Sequence, residues 1–437
     1  MTTAGRTVRS AGQGGRTAGE LPRLLPGPWA GPATLASHLA RHGPLPAVGR
    51  GAEPRRQLIA EVGRAGLTGR GGAAFPTARK LAAVAAAAAA TGRTPAVIAN
   101  GTEGEPASAK DKVLLAQAPH LVLDGAVLAA QLTGARQATV VAHGAVRDIV
   151  DGAVAERRRI RYDPVPVRVL TAAGRFVAGE ASALVNWAGH RAAVPTAVPP
   201  RVSERGLDGR PTLVQNVETL AHLALIARRG AAWFCSLGTP AEPGSMLVTV
   251  IGAVRQPGVR EIGIGTPVGD VLALAGGPAA PLTALLVGGY SGTWVVPALV
   301  ATAPFSVAGL RGAGASPGAG LVAALPAGAC GLAETARLAR YLAAESAGQC
   351  GPCLFGLGSI ATELAELAAG RRFDLSRLRR WLAQVDGRGG CHHPDGAVRM
   401  IRSALDVFPA EIAGHAGGWC SGTRPGAVLP LPPPARR

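Results

Sequence analysis

Between residues 95 and 170, short apolar runs alternate with helical stretches, and this alternation restricts the fold more than any other feature. PAVIAN at 95–100, ATVVAH at 138–143 and VPVRVL at 165–170 read as strands, with helical periodicity over 113–133 and 145–158 between them. Repeats of this kind build a mostly parallel sheet flanked by helices. In such open α/β sheets ligands sit at the carboxyl ends of the strands, so the residues just after each strand become candidates for a site.

The strand ending at Asn100 runs into Gly-Thr-Glu-Gly-Glu-Pro, which places Asn100, Glu103 and Glu105 at such an end; a solvated loop is the plainer account of the two acids. Upstream, a glycine-rich loop from Gly66 to Thr77 opens a helix carrying Lys80. Backbone N–H groups at a helix start favour an anion. Gly69, Gly71 and Gly72 would let the backbone approach it, and Arg70 and Lys80 would add charge; an ordinary turn explains the same residues. Gly179 and Glu180 fall at a strand-to-helix turn. Gln215, Asn216 and Thr219 fall at a helix start, where their amides suit a ring with several polar edges or simple capping.

Composition sharpens this. The chain carries a formal charge of +18, but arginine is spread along its whole length without a basic stripe, and aromatics are only 4%. Nucleic-acid binding is therefore not expected. Lysine occurs only at 80, 110 and 112, and asparagine only at 100, 186 and 216. A compact ammonium and a wide guanidinium are not interchangeable at a tight site, so the few surviving lysines mark positions held by chemistry. No apolar run suits direct membrane insertion, and residues 1–20 read as a disordered leader rather than a secretory signal. Six irregularly spaced cysteines do not form a secreted disulfide framework, so a cytoplasmic location is expected.

Three of those cysteines lie in one stretch. Cys350 and Cys353 form a C-x-x-C, and Cys391 lies downstream in GRGGCHHPDG. On spacing alone, zinc, a redox disulfide and an iron–sulfur cluster all remain open. Cys235 reads as a buried thiol and His415 as a structural helix-end residue. Residues 245–310 look like a small β-rich unit, 312–320 a linker, and 332 onward helical.

Taken together, the motifs resemble the flavoprotein subunit of respiratory complex I and its relatives in NAD-linked hydrogenases and formate dehydrogenases, over roughly residues 50–415. The family's GRGGAGFPTG-x-K is similar to Gly69 through Lys80, and its NADESEPG-T-x-KDR to Asn100 through Lys112. Its GEETALLN resembles Gly179 through Asn186, and its KPT-VVNNVETL resembles Arg210 through Leu220. The cysteine stretch resembles ESCGxCxPC with a distant further cysteine. The resemblance implies a Rossmann-like FMN-binding α/β domain (51–238) after an N-terminal leader with a short helix (1–50). It further implies a β-grasp (ubiquitin-like), SLBB-like domain (239–312), a helical iron–sulfur domain (325–420) and a disordered tail (421–437).

By the same resemblance, FMN contacts fall on Gly69, Arg70, Gly71, Gly72, Lys80, Asn100, Glu103, Gly179, Glu180, Gln215, Asn216 and Thr219. Phe75 and Glu105 match positions that hold NAD(H), and Cys350, Cys353 and Cys391 would bind a [4Fe–4S] cluster. The implied function passes electrons from NAD(P)H through FMN to the cluster and on to a thioredoxin-like iron–sulfur subunit or a ferredoxin, with the chain cytoplasmic or held at a membrane through a complex. No acid–base residue is needed for the hydride step.

The chain departs from the family at Ala347, where the first cysteine would stand, leaving Cys330, Cys420, His392 or His393 as the fourth ligand, or a cluster with an open iron. It also has Thr102 for an aspartate, Ala181 for a glutamate, and Arg201 and Ala83 for aromatics. These departures motivate two alternatives: an FMN/iron–sulfur relay without nicotinamide binding, and a non-enzymatic zinc-stabilised partner-binding protein.

Overall fold

A computed structural model describes residues 21–27, 31–49, 51–197, 199–420, 422–423 and 426–432; the expected leader over 1–20 lies outside them. Helices α1 (Leu35–His42), α2 (Ala52–Arg64) and α3 (Thr77–Thr91) come first. Strands β1 (Ala96–Gly101), β2 (Ala138–Ala142), β3 (Val167–Thr171) and β4 (Thr212–Asn216) then form a sheet in the order β3-β2-β1-β4, all parallel. The chain order reverses between β1 and β4, so their carboxyl ends make the crevice where open α/β sheets take ligands. Asn100 and Asn216 are register partners across it.

The helix expected over 113–133 is two helices, α4 (Lys110–Gln117) and α5 (Pro119–Thr133), bent by 97°. Pro119 lacks the N–H that would continue α4 and is suited to start α5. Among the described residues no single helix is long and apolar enough to cross a membrane; the α4–α5 pair nears that composition because α5 runs through the core. Helices α6 (Gly144–Arg159), α7 (Ala181–Ala188) and α8 (Val217–Cys235) complete the first unit. Helix α5 crosses α8 at Gly125, where a Cβ would lie 1.9 Å from the Leu220 carbonyl oxygen.

The second unit is a mixed sheet in the order β6-β5-β9-β7-β8. Its strands are β5 (Ser245–Gly252), β6 (Gly258–Gly263), β7 (Leu282–Val287), β8 (Thr293–Val295) and β9 (Leu321–Pro326). Short helices α9 (Val268–Leu274), α10 (Pro297–Val300) and α11 (Val307–Leu310) lie between strands. Strand β9, buried along its whole length, is the sheet's middle strand. The β-rich unit therefore extends past the expected limit of 312 to include a strand beyond the glycine-rich linker.

Helices α12 (Gly331–Ala344), α13 (Leu357–Ala368), α14 (Leu375–Val385), α15 (His393–Val407) and α16 (Pro409–Ala416) form the C-terminal bundle. The tail expected to lack structure departs from that expectation within the described residues. Leu429 is buried in the bundle core, and the N–H groups of Val428 and Leu429 both donate to Glu334, each at 3.1 Å.

Buried charge ties the first unit to the second. Lys110 Nζ lies 2.6 Å from Asp111 Oδ1 and 2.9 Å from Glu218 Oε2, and Glu218 Oε1 accepts the Leu247 N–H of β5 at 2.9 Å. All three side chains are buried, so each charge depends on its partners, and removing one would leave the others uncompensated.

Candidate active site

The glycine-rich loop closes on itself between α2 and α3, with the Gly69 N–H donating to the Phe75 carbonyl at 2.9 Å. Arg70 departs from the role its charge suggested. Its guanidinium is buried and donates to the carbonyls of Pro243 and Ser245 at the start of β5, while its backbone N–H donates to Thr219 Oγ1 at 2.8 Å. Arg70 therefore fixes the loop against α8 and the second unit. Lys80, on α3, reaches the Val214 carbonyl of β4 at 3.1 Å, and burial pushes its pKa down.

At the carboxyl ends of β1 and β4 the amides hold one another. Asn100 Nδ2 donates to the Gly179 carbonyl at 2.9 Å, and Asn216 Nδ2 to Asp111 Oδ2 at 2.7 Å. Asn216 Oδ1 caps α8 by accepting from the Glu218 N–H at 3.0 Å, and Gln215 Nε2 donates to Thr77 Oγ1 at 3.1 Å. Glu103, at positive φ, has both oxygens engaged at the start of α4: Oε1 accepts from Asp111 N and Ser108 Oγ, Oε2 from Lys112 N. Glu103 thus orders the loop after β1 rather than facing an open space. Glu180 caps α7, accepting from the N–H groups of Ser182 and Ala183, each at 2.9 Å.

Beside the edge strand β4 opens a cleft of about 860 Å³, lined among others by Phe75, Lys80, Glu180, Arg191, Arg201 and Val214. Small-molecule and cofactor sites run from about 300 to 1,000 Å³. Ala83 and Ala181 also line it, so two of the departures from the family widen this space, and Arg201 adds a cation to its wall. The structure thus brings Phe75, Lys80 and Glu180 to the cleft and gathers Asn100, Gln215, Asn216 and Thr219 at the adjoining strand ends. The Asn100–Gly179 bond, one residue before Glu180, joins the two zones.

A flavin mononucleotide fits this setting on two observations. The cleft has the volume, and three buried side-chain oxygens near these strand ends lack partners among the described residues: Thr102 Oγ1, Glu105 Oε1 and Gln215 Oε1. Native proteins rarely leave buried acceptors unsatisfied. The carboxyl of Glu105 is enclosed, with Oε2 accepting the Tyr290 N–H at 2.8 Å, and burial raises its pKa to about 7. Its native form therefore holds a proton that the unfolded chain releases near the ordinary carboxylate pKa of 4.5, and stability falls as pH rises from about 4.5 to 7. Glu105→Gln is expected to remove this slope, worth at most about 3 kcal/mol, in urea denaturation measured across that range; an unchanged slope would refute the assignment.

Of the three thiols singled out by their spacing, Cys350 and Cys353 hydrogen-bond each other, and Cys391 lies close enough to both for their charges to act on one another. Cys353 lies in a π-helical turn, Pro352–Gly356, leading into α13. Burial pushes its thiol up to about 11, with Cys350 adding to the rise. Cys350 is shifted the other way: burial raises it, but the N–H groups of Gly390 and Cys353 and the Cys353 thiol bring it below the ordinary value. Burial raises Cys391, which receives the His393 N–H and lies near the charges of Glu180 and Cys350. Backbone N–H groups donating to these sulfurs are the kind of contact that tunes iron–sulfur thiolates.

Cys330 and Cys420 do not join them. Cys330 caps the start of α12, whereas Cys350 lies past its end, with the 14-residue helix, about 21 Å long at 1.5 Å per residue, between them. His393 is buried with Nε2 donating to the Leu342 carbonyl at 2.7 Å, and the His392 side chain is fully exposed. Cys235, expected to be buried, is exposed. The residues that sequence reasoning missed are chiefly cleft-wall arginines such as Arg79, Arg191 and Arg205; among so many arginines, nothing in their spacing marks them.

The chain matches the family described as the Nuo51 FMN-binding domain over residues 62–225, the SLBB domain over 247–289, and the NADH-ubiquinone oxidoreductase-F iron-sulfur binding region over 333–415. It is 31% identical over 377 residues to the second F-type subunit of the NADH-quinone oxidoreductase of Rhizobium meliloti, covering 82% of this chain and 88% of that protein. The corresponding F-type subunit of Rickettsia bellii is 28% identical, with 81% and 89% covered. Among solved structures, a chain of the NAD+-reducing [NiFe]-hydrogenase in the H2-reduced state superposes with a TM-score of 0.76 at 33% identity. That match covers 83% of this chain and 63% of the hydrogenase chain, so this chain spans a little under two thirds of it. With three matching regions in sequence order and a relative above 30% identity along most of both chains, this chain belongs to the family of NADH-quinone oxidoreductase F-type subunits.

Proposed function

We propose that the chain takes electrons from NADH at the β4 cleft and delivers them to iron held by Cys350, Cys353 and Cys391. The observation that carries this reading is the wall shared by the two places. Gly390, next to Cys391, packs so closely on Ala197 of the cleft lining that a Cβ on it would lie 2.8 Å from the Ala197 methyl. Glu180, on the cleft, is near enough to Cys391 to raise its pKa. When bound, FMN accepts a hydride and releases its electrons singly, and a [4Fe–4S] cluster carries them onward.

The residues' own work is binding and placement. The Gly69–Gly72 loop and Lys80 are suited to a phosphate. Asn100, Gln215, Asn216 and Thr219 offer amides and a hydroxyl, with Gly179 and Glu180 between them and the thiols. Phe75, 43% exposed at the cleft, supplies an aromatic face for the nicotinamide nucleotide, and Glu105 lies in the loop between β1 and α4 that leads from Asn100. Family membership favours this reading over the nicotinamide-free relay and the zinc scaffold.

The relatives are named as subunits, so the chain works with partner subunits. We assign the acceptor to a thioredoxin-like iron–sulfur subunit or a ferredoxin in the cytoplasm, reached beside Cys353, where Leu354 and Phe355 are 58% and 74% exposed. Anaerobic NADH should bleach the flavin and then produce a cluster EPR signal. A flavin-loaded protein that neither NADH nor NADPH bleaches overturns the proposal. Phe75→Ala is expected to raise KM for NADH about fivefold, as stacking is worth about 1 kcal/mol, with little change in kcat; an unchanged KM would remove Phe75 from the nucleotide site.

A further inference from the structure

The far end of α12 carries a second cluster of metal-ligating side chains. Cys330, His415 and Cys420 place their ligand atoms within 4.8 Å of one another. His415 Nε2 is 3.3 Å from Cys330 Sγ, and Glu411 Oε2, one turn earlier on α16, is also 3.3 Å from that sulfur. Two thiols and an imidazole thus converge from three separate segments, the start of α12, α16 and the loop after α16, with the Glu411 carboxylate beside Cys330 and accepting the Leu332 N–H at 2.8 Å. His415 and Glu411 are buried, and Cys420 closes the site from the surface.

The backbone around the trio is shaped for sulfur. The Ala333 N–H donates to Cys330 Sγ and the Gly422 N–H to Cys420 Sγ, each at 3.3 Å. Gly422 has no room for a side chain: a Cβ would lie 3.0 Å from the Cys330 Cβ and 3.2 Å from Cys420 Sγ. Tetrahedral zinc, with bonds of about 2.0–2.3 Å, sets its donor atoms about 3.3–3.8 Å apart, so the separations here suit it after small shifts. Two thiolates with one imidazole and one carboxylate favour zinc over harder cations.

We propose that Cys330, His415 and Cys420, with Glu411 as fourth donor, bind one zinc ion that staples the end of the chain to the start of α12. The site is separate from the iron thiols and does not rest on the flavin reading. The segment it would hold in place is already docked: the Thr423 N–H donates to the Gly328 carbonyl at 2.9 Å, and Leu429 packs into the bundle.

The test is metal analysis of the full-length, cluster-loaded protein after desalting. One zinc per chain in addition to iron is expected. Cys420→Ser, at an exposed position, should lose that zinc while iron content and the cluster spectrum stay unchanged. Cobalt replacing zinc should give the strong visible bands of a tetrahedral thiolate site in the wild type and not in the variant. Zinc-free wild type that binds neither added zinc nor cobalt, zinc retained by both Cys420→Ser and His415→Gln, or an intact mass showing a Cys330–Cys420 disulfide in the reduced, purified protein would each overturn the proposal.

Discussion

Replacing Cys350 by serine is expected to leave a yellow protein that has lost its iron. Cys350 is the thiol that Gly390 and Cys353 draw toward the thiolate, the form that binds metal. With Ala347 at the position of a further thiol, and Cys330 and Cys420 at the other end of α12, the site has no spare cysteine among the described residues. Loss of an outer-shell partner alone costs a metal site about 10–100-fold in affinity or activity; loss of a direct thiolate should exceed that. Iron content and the cluster EPR signal should fall to background, and NADH-driven reduction of a one-electron acceptor by at least about 100-fold. Flavin content and anaerobic bleaching by NADH should survive, because the cleft residues lie on other elements. Iron retained at the wild-type level in Cys350→Ser would show that the three thiols are not its anchor.

Gly125→Ala is expected to be the most damaging methyl that can be added to the first unit. The new Cβ would sit 1.9 Å from the Leu220 oxygen and 2.3 Å from its carbonyl carbon, both backbone atoms that cannot rotate aside. Overpacking costs about 1–3 kcal/mol and sometimes more, and contact with backbone places this change at the upper end. Relief requires α8 to move, and α8 carries Asn216 at its cap and Thr219 one turn in. Thermal unfolding should therefore shift down by about 6–12 °C, at about 2–4 °C per kcal/mol for a unit of this size, with loss of flavin retention. Gly152→Ala on the exposed face of α6 is the control, since a Cβ there meets nothing within 4 Å; it should stabilise by about 1 kcal/mol. If both variants melt together, the close crossing is not a constraint.

The parallel sheet was legible because its strands are short apolar runs between helices of a different period. The crevice came from topology once β4 took its place beside β1. The three thiols stood out by their spacing, which left their metal open. Strand β9 was not: six apolar residues behind a glycine-rich linker carry no period of their own, and only pairing with β5 and β7 makes them a strand. The true direction of Arg70 was hidden for a similar reason, because its acceptors lie 173 and 175 residues away. Cys330 lies 85 residues before His415, and His415 and Cys420, though near each other in the chain, match no ligand spacing by themselves; α16 folding back on α12 assembles the three. Lys110 stood out by rarity alone, and its partner Glu218 could be found only in three dimensions.

The salt bridge from Lys110 to Glu218, and the bond from Glu218 to β5, bear on where this chain can be cut. Residues 236–244 form an ordinary loop between two sheets, and a designer would trim there to obtain a minimal flavin-binding fragment. Such a fragment would bare Glu218 and the guanidinium of Arg70 to water along the seam once covered by β5, loosening the glycine-rich loop and the start of α8. The smallest autonomous piece that keeps its yellow colour would have to carry the neighbouring sheet as well.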